Sequence, residues 1–171
     1  MPPLATVRRL ASGDVDVLRR IRLIALETSP EAFGTTHAAE SAQPDAHFAS
    51  RLATSIVLGA FEADRVIGML GCKRYDGARE AHKAFLWGFY VEPDQRGRGV
   101  AGALLGSALD AMAGLVEQVH LTVVADNRAA IGLYERYGFR TYGREPRSLK
   151  TDGVYSDESL MVLFLSDRLS P

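Results

Sequence analysis

Residues 85–105, FLWGFYVEPDQRGRGVAGALL, contain the most informative local signals of this chain. An apolar, aromatic-rich run stops at Glu92-Pro93-Asp94, a segment rich in arginine and glycine follows, and an apolar pattern with helical spacing then begins. A helix N-terminus exposes unpaired backbone N–H groups, and glycines let an anion approach them closely. The stretch therefore predicts either a phosphate or pyrophosphate site at residues 96–101, with Arg96 and Arg98 adding positive charge, or a plain strand-to-helix turn.

The same segment, Gly97-Arg98-Gly99-Val100-Ala101-Gly102, also matches GxGxxG, the dinucleotide-binding fingerprint. That fingerprint follows the first strand of a fold that needs several further strand–helix units, whereas here it starts at residue 97 of 171. The spacer Glu92–Arg96 also separates the predicted strand from the glycines, where a dinucleotide turn is tight. No GxxxxGKS or GxxxxGKT segment occurs, which excludes a P-loop. A nicotinamide-dependent oxidoreductase is therefore disfavoured.

The composition indicates a single soluble globular domain. The chain has 171 residues, 47% of them hydrophobic and 24% charged, and its net charge of -1 argues against a general nucleic-acid-binding protein. The one cysteine, Cys72, lies in a strand-like stretch and is expected to be a packed thiol, and the four histidines have no ligand-like spacing, so no metal site is predicted. No signal-peptide core and no apolar stretch of about 18 residues occurs. We expect a cytoplasmic protein without a membrane or nucleic-acid partner.

Hydrophobic periodicity predicts a mixture of strands and helices. Strands are predicted at 6–10, in two runs on either side of a turn at Glu62–Asp64, at 79–92, at 119–124 and in a closing hairpin around Lys150–Gly153. Helices are predicted at 14–30, shortly after Pro44, at 99–116 and at 127–138. We therefore predict an α+β (mixed α/β) fold, a single domain over residues 1–171 with a mixed central sheet of about seven strands and helices on both faces.

Two of these helices are predicted to be amphipathic. In the helix at 14–30 the shared apolar face consists of Val17, Leu18, Ile21, Ile24 and Ala25. In the helix at 99–116 it consists of Ala101, Leu104, Leu105, Ala108, Leu109, Met112 and Leu115. The second helix would connect the strands at 79–92 and 119–124 as a β-α-β crossover, so these two strands should run parallel.

The segments VEPDQRGRGVAGALL and LTVVADNRAAIGLYERYGFR resemble the acetyl-CoA-binding core of the GCN5-related N-acetyltransferases (GNAT). The loop pattern of that family, Gln/Arg-x-x-Gly-x-Gly/Ala, matches Arg96 to Ala101 without a gap, and the predicted element order is similar over the whole chain. The resemblance implies strands 85–92 and 119–124 that splay apart to leave a V-shaped cleft. It also implies direct acetyl transfer from acetyl-CoA to a primary amine of a small molecule or peptide. The alternative is a non-catalytic coenzyme-A-binding regulatory module on the same fold.

The resemblance assigns a cofactor-binding role to two stretches of backbone. The amides from Arg96 through Gly97, Arg98, Gly99 and Val100 to Ala101 would hold the coenzyme A pyrophosphate. Main-chain groups of Phe89 and Val91 would pair with the pantetheine arm and the acetyl carbonyl, as an added strand would. An N–H group at Phe89 or Tyr90 would polarise that carbonyl as a small oxyanion site.

Two side chains in the second segment also receive roles from the resemblance. Asn127 would hydrogen-bond the pantetheine, although by its position it could be only the N-cap of the helix at 127–138. Tyr134 would lie near the thioester sulfur and protonate the departing thiolate, although its spacing from Ile131 equally suits a core tyrosine. The cap role and the pantetheine role of Asn127 are compatible.

The general base and the acceptor site are the least specified parts of the sequence. An attacking amine must be neutral, so a base or a water chain must take its proton. Glu92, at the end of a strand, and Glu158, in the last strand, are the candidate bases, and either could be an ordinary surface carboxylate. Phe33, in segment 29–36, and Trp87 would line the acceptor site together with the hairpin 145–157. The resemblance also implies a homodimer, because many members of the family are dimers.

Overall fold

The computed structural model describes residues 5–166 of the chain. Its internal contacts divide into two compact units. The first unit consists of the residues up to Lys73 together with Leu86–Met112, and the second consists of Arg74–Phe85 together with the residues from Ala113 onward. The first contains β1 (Thr6–Arg9), α1 (Val15–Thr28), α2 (His37–Ser41), α3 (Asp45–Thr54), β2 (Ile56–Glu62), nearly all of β3 (Arg65–Arg74), the greater part of β4 (Lys83–Val91) and α4 (Val100–Met112). The second contains β5 (Gln118–Val124), α5 (Arg128–Arg136), β6 (Arg140–Thr151) and β7 (Val154–Phe164). The prediction of a single domain over 1–171 stays a prediction.

The strands form one mixed sheet in the order β1-β2-β3-β4-β5-β7-β6, which confirms the predicted sheet of about seven strands. β4 and β5 are parallel, as the crossover predicts, whereas β1–β2, β2–β3, β5–β7 and β6–β7 are antiparallel. The parallel register runs from Lys83–Gln118 to Phe85–His120, although β4 continues to Val91 and β5 to Val124. Separation of the two strands beyond these pairs stays a prediction.

Helix α1 packs its apolar stripe on one face of the sheet in the first unit. The fully buried positions of α1 are Leu18, Ile21, Arg22, Ala25 and Leu26, which follow the i, i+3, i+4, i+7, i+8 spacing of a helix. The stripe is therefore rotated from the predicted one: Val17 and Ile24 are half-buried, and an arginine takes a core position. The core also contains Phe48 and Leu52 of α3 and Met69 of β3.

Helix α4 packs on the opposite face of the same strands. Successive residues of a strand point to opposite faces, and Gly68 precedes Met69; a Cβ atom at Gly68 would lie 3.2 Å from Leu104 of α4. The predicted buried face of α4 is confirmed from Leu104 to Met112, but Leu115 is 54% exposed and that part of the prediction is wrong. The helix ends at Met112 and Gly114 has a φ of +78°, so the chain leaves the helical path before Leu115.

The second unit matches the predicted order strand, helix, hairpin. The hairpin turn is at Asp152 (φ +49°) and Gly153 (φ +83°), the two left-handed positions that a tight hairpin turn requires. β6 is longer than the predicted stretch and has register shifts, one of them between Glu145 and Leu149. Arg147 lies within that shift with a φ of +53°.

The polar segment 31–54 contains α2 as well as the predicted helix after Pro44, and β4 begins at Lys83 instead of residue 79. Cys72 is fully buried, and burial raises the pKa of its thiol to about 12, which confirms a packed thiol. No helix in the described part of the chain is long and apolar enough to cross a membrane.

Candidate active site

The glycine loop between β4 and α4 is open on its outer side. Gly97 and Gly99 have φ values of +74° and +82°, a conformation that side-chain-bearing residues rarely adopt. A Cβ atom built at either glycine would meet nothing within 4 Å. The glycines are therefore required by backbone conformation, and the space beside them is available to a ligand.

The first turn of α4 presents its backbone to this open side. Ala103 donates to the carbonyl of Gly99 over 3.0 Å, and the amides of Val100 and Ala101 precede this bond, where a helix offers no acceptor of its own. The first turn contains no acidic residue, so no carboxylate of the helix itself opposes the positive end of its dipole. The side chain of Val100 is buried and anchors the turn. This arrangement fits a phosphate group.

The two arginines of the loop are held by other groups of the protein. Arg96 donates from Nε to the carbonyl of Val91 over 3.0 Å and from Nη2 to the hydroxyl of Ser29 over 3.3 Å. Arg98 forms an ion pair with Glu62 at 3.3 Å and bonds the side-chain oxygen of Gln95. The backbone amides are therefore the main donors that the loop offers to an anion. The arginine side chains contribute less, because both guanidinium groups already have partners in the protein.

Strand β4 contains an irregularity at Gly88 that sequence analysis missed. Gly88 has a φ of +65°, and a Cβ atom there would lie 2.9 Å from the terminal methyl group of Met69. Trp87 lies flat against Gly71, where a Cβ atom would come within 2.1 Å of the indole ring. Farther along β4, the Tyr90 hydroxyl is 2.7 Å from the hydroxyl of Thr28, and this hydrogen bond connects the strand to the last residue of α1. A glycine within a strand pattern is itself a signal for such a bulge.

Glu92 follows β4 and lies in a chain of ion pairs. Its amide donates to the carbonyl of Ile67 over 2.9 Å, and its carboxylate bonds the guanidinium of Arg65. Arg65 also contacts Glu62 at 3.3 Å, and Glu62 is the partner of Arg98. The structure thus connects this candidate base to the glycine loop, with its carboxylate already engaged.

A buried charge cluster lies between α1, α2 and α3, and sequence analysis did not identify it. Arg22 and Glu40 are 5% and 3% exposed, and Nε and Nη2 of Arg22 bond both oxygens of Glu40 at 2.8–3.1 Å. Arg51 approaches the same carboxylate at 3.4 Å. Burial tends to raise the pKa of Glu40, but the bonds and charges of Arg22 and Arg51 outweigh it and hold the pKa below its usual value. The available signal was an arginine on the apolar face of α1.

Both predicted acceptor-site residues contact arginines of this charge cluster. The ring of Phe33 lies 4.9 Å from the Arg22 guanidinium carbon, and the ring of Trp87 lies 4.8 Å from that of Arg51. Both rings are half-buried and pack against the core of the first unit. The structure therefore places these two aromatic side chains around one buried group of charges.

In the second unit, Asn127 is the N-cap of α5. Its side-chain oxygen accepts from the amide of Ala130 over 3.1 Å, which confirms the cap. Asn127 is exposed, and its side-chain NH2 group has no partner among residues 5–166. A second role as a hydrogen-bond donor is therefore compatible with the cap.

Tyr134 lies on the buried face of α5. It is 6% exposed and its ring meets Phe139 edge-on, with centroids 5.6 Å apart. Its carbonyl accepts from the amides of Tyr137 and Phe139 at 3.0 and 3.1 Å, which closes the C-terminal end of the helix. Burial raises the pKa of the Tyr134 hydroxyl, so the group keeps its proton at neutral pH.

Glu158 lies on β7 beside Val124, the last residue of β5. The Ser148 hydroxyl donates to one of its oxygens over 2.5 Å, and Ser148 is part of the irregular stretch of β6. The neighbouring Asp157 accepts from the amide of Arg147 and from the side chain of Arg144, both over 2.8 Å. These hydrogen bonds connect the irregular stretch of β6 to β7 and hold the Ser148 hydroxyl against the Glu158 carboxylate.

Comparison with known proteins places this chain among acetyltransferases. The sequence model described as the acetyltransferase (GNAT) family matches residues 18–139. L-amino acid N-acetyltransferase AaaT of Escherichia coli is 26% identical over 91% of this chain and 95% of its own length. An uncharacterized Mycobacterium leprae protein, ML0378, is 37% identical over 65% of this chain, but the match spans only 31% of that protein's length.

A solved structure has the same fold. The phosphinothricin acetyltransferase of Sinorhizobium meliloti, determined in complex with acetyl-CoA, superimposes with a TM-score of 0.80 at 20% identity. The superposition covers 95% of this chain and 89% of that one. The likeness supports the mixed sheet and helices described above.

Proposed function

Because the chain belongs to the acetyltransferase (GNAT) family, we propose that it transfers an acetyl group from acetyl-CoA directly to a primary amine of a small molecule or peptide. As a member of this family, the chain is an acyltransferase. The phosphinothricin acetyltransferase that has the same fold was determined in complex with acetyl-CoA. The observation that carries the proposal is the open loop with left-handed Gly97 and Gly99 at the N-terminus of α4. The loop presents amides to an anion and has no side chain in the way.

The cofactor is held mainly by backbone groups in this proposal. Amides from Arg96 to Ala101 bind the pyrophosphate, with Gly97, Arg98, Gly99 and Val100 between them. Main-chain groups of Phe89 and Val91 pair with the pantetheine arm, and the amide of Phe89 or Tyr90 donates to the acetyl carbonyl. The carbonyl of Val91 also accepts from Nε of Arg96, which ties the end of β4 to the glycine loop.

Two side chains of the second unit serve the departing thiol. The amide nitrogen of Asn127 donates to the pantetheine while its oxygen caps α5. The amine nitrogen forms the new C–N bond, the thioester C–S bond breaks, and the proton lost by the amine must be balanced by one gained at sulfur. Tyr134 donates its hydroxyl proton to the departing thiolate, and the phenolate regains a proton from solvent before the next turnover.

Of the two candidate bases, Glu158 is the better supported. One of its oxygens accepts from Ser148, and the other has no partner among residues 5–166. Glu92 shares its carboxylate with Arg65, so accepting a proton there would break an ion pair. Either glutamate could act through a water molecule.

The acceptor amine binds against Phe33 and Trp87 in this proposal. Both rings are half-buried; Trp87 directly precedes Gly88 in β4, and Phe33 lies against Arg22, whose Nη1 is near Gly88. We further propose a homodimer, because the large side chains of Tyr142, Val154 and Tyr155 are 50–69% exposed in the second unit. Light scattering that gives only 18.6 kDa at micromolar concentrations would contradict the dimer.

Two measurements test the function. Calorimetry should detect acetyl-CoA binding, and thiol release from acetyl-CoA should depend on an added amine across a panel of amines. Binding without turnover for any amine would favour the non-catalytic regulator. Binding of NADH in place of acetyl-CoA would favour an oxidoreductase and overturn the proposal.

A further inference from the structure

The buried guanidinium of Arg22 has hydrogen-bond donors to spare. Its Nε and Nη2 groups are satisfied by Glu40, but Nη1 has no partner. Within residues 5–166 the only other buried side-chain nitrogen or oxygen without a partner is Nε2 of His47, a residue that is half-buried, whereas Arg22 is 5% exposed. Buried donors in native proteins nearly always have a partner, because leaving one unpaired is costly. Nη1 is therefore a buried donor for which the described residues supply no acceptor.

Nη1 is directed at the part of β4 where the backbone is irregular. The position of a Cβ atom on Gly88 lies 3.5 Å from Nη1, and Gly88 is the residue of β4 with a left-handed φ, +65°. Phe33 covers one face of the guanidinium at 4.9 Å. The donor thus meets the strand directly before Phe89, with an aromatic ring alongside.

The charges around Arg22 favour an anion as its missing partner. Glu40 is a single carboxylate, and both Arg22 and Arg51 bond it, so the three side chains together keep one excess positive charge. A guanidinium has a planar set of donors that matches a carboxylate, and a charge-assisted bond of this kind is stronger than a neutral one. A carboxylate is therefore the partner that fits both the geometry and the charge.

We propose that Arg22 Nη1 binds the carboxylate of the acceptor, and that the acceptor is a free α-amino acid. This inference rests on the proposed acetyl transfer. Strand residues advance by about 3.3 Å each, so Gly88 is roughly 3 to 7 Å from the amides of Phe89 and Tyr90 that face the acetyl carbonyl in that proposal. An amine and a carboxylate on the same carbon atom fit this short span. The N-terminal amine of a peptide lacks the neighbouring carboxylate and would leave Nη1 unsatisfied.

The competing explanation is that Arg22 only stabilises the core, with a buried water on Nη1. The two explanations differ in what they predict for substrate choice. If Arg22 binds the carboxylate, the enzyme should discriminate between an L-amino acid and its carboxamide, which differ only in that group. If Arg22 is structural, it should treat both alike.

The test measures kcat/KM for a panel of L-amino acids, each against its own carboxamide, with thiol release as the readout. The ratio of the two values is independent of how much of a preparation is folded. Wild type should prefer the free acid of its best substrate by at least about 30-fold, a loss typical of a buried charged group left unpaired. The variant Arg22→Gln/Glu40→Gln, which removes both charges together, should bring the ratio close to one and act mainly through KM.

Arg19→Gln is the matched control. Arg19 lies on the same helix, but its guanidinium donates to the carbonyls of Ser41 and Gln43. This variant should keep the wild-type ratio even if its stability falls. Arg22→Lys, which retains the charge but not the donor geometry, should give an intermediate ratio.

Each possible result decides the inference. A wild-type ratio near one, a ratio unchanged in Arg22→Gln/Glu40→Gln, or turnover of other amines without any α-amino acid would overturn the carboxylate site and leave acetyl transfer intact. Failure to bind acetyl-CoA in calorimetry would instead remove the proposed function itself. A ratio that falls equally in Arg19→Gln would assign Arg22 to packing.

Discussion

The glycine loop at residues 96–101 and the Arg22–Glu40 cluster both handle charge, but by opposite means. The loop is exposed, its glycines have no neighbouring atoms at their Cβ positions, and backbone amides are its donors. The cluster is buried, and side chains from α1, α2 and α3 supply both its donors and its acceptor. The backbone donors of the loop come from consecutive residues, whereas the side chains of the cluster come from residues that are far apart in the chain.

The difference separates binding from stability. Substitutions in the loop should alter the affinity for an anion and leave folding nearly unchanged, because few atoms pack against it. Substitutions in the cluster should alter folding first, because burying an unpaired charge is costly. Variants of Gly99, Glu40, Tyr134 and Arg98 test that division.

Gly99→Glu should have the largest effect and only on binding. It places a side chain and a negative charge where the proposed phosphate lies, so the Kd for acetyl-CoA should rise by more than about 100-fold, roughly 3 kcal/mol. Calorimetry measures the affinity, and circular dichroism should report an unchanged fold. Gly99→Ala is the control: it shares the strain of a φ of +82° without the charge and should weaken binding far less. Equal losses in both variants would assign the effect to strain.

Glu40→Gln should have the opposite profile. It leaves the Arg22 guanidinium buried without its counter-charge, so the free energy of unfolding should fall by about 3 kcal/mol in urea titrations at pH 7. The affinity for acetyl-CoA should stay within about twofold, because the two regions share no partners. A loss of affinity without a loss of stability would contradict the division between loop and cluster.

The difference in the free energy of unfolding between wild type and Glu40→Gln should shrink at acidic pH. The pKa of Glu40 is lowered in the folded protein, so its contribution is complete above the carboxyl pKa of the unfolded chain, about 4.3, and is lost as pH falls through the lower folded value. The stability gap between wild type and Glu40→Gln should therefore be constant near neutral pH and close below about pH 4. A gap that grows in acid would contradict the lowered pKa.

Tyr134→Phe tests a site that is buried like the cluster but is proposed to act in the reaction. The leaving thiolate has an ordinary pKa near 8.5, so protonation helps without being obligatory, and kcat should fall by roughly 100-fold. The affinity for acetyl-CoA and the packing of the ring on Phe139 should be retained. Turnover close to wild type with a lowered Tm, when chemistry limits the rate, would make Tyr134 a core residue only.

Arg98→Gln should have the smallest effect. The Arg98 guanidinium is already paired with Glu62 and Gln95, so the loop would lose charge that is largely compensated, and the Kd for acetyl-CoA should rise by less than about threefold. Calorimetry at low salt gives the most sensitive measurement, because screening is weakest there. A tenfold loss would indicate that Arg98 binds the phosphate directly.

Local patterns predicted the elements well, and the errors have identifiable causes. The strand-to-helix turn at Gly97 and Gly99, the N-cap of α5 and the turn at Asp152-Gly153 each depend on a few consecutive residues, and the structure contains all three. Periodicity continues past Met112 and predicts a buried Leu115, but a left-handed Gly114 redirects the chain. The five residues of α2 are too few for a periodic signal.

The order of strands and helices, the glycine loop and the resemblance to acetyltransferases all follow from spacing along the chain. The pairing of charges, in contrast, depends on how the chain folds: Arg22 meets Glu40 across 18 positions and Arg98 meets Glu62 across 36. The same packing leaves Nη1 of Arg22 near Gly88. Partners so distant are chosen by the packing of whole helices and strands, since no local pattern specifies which buried surfaces will meet.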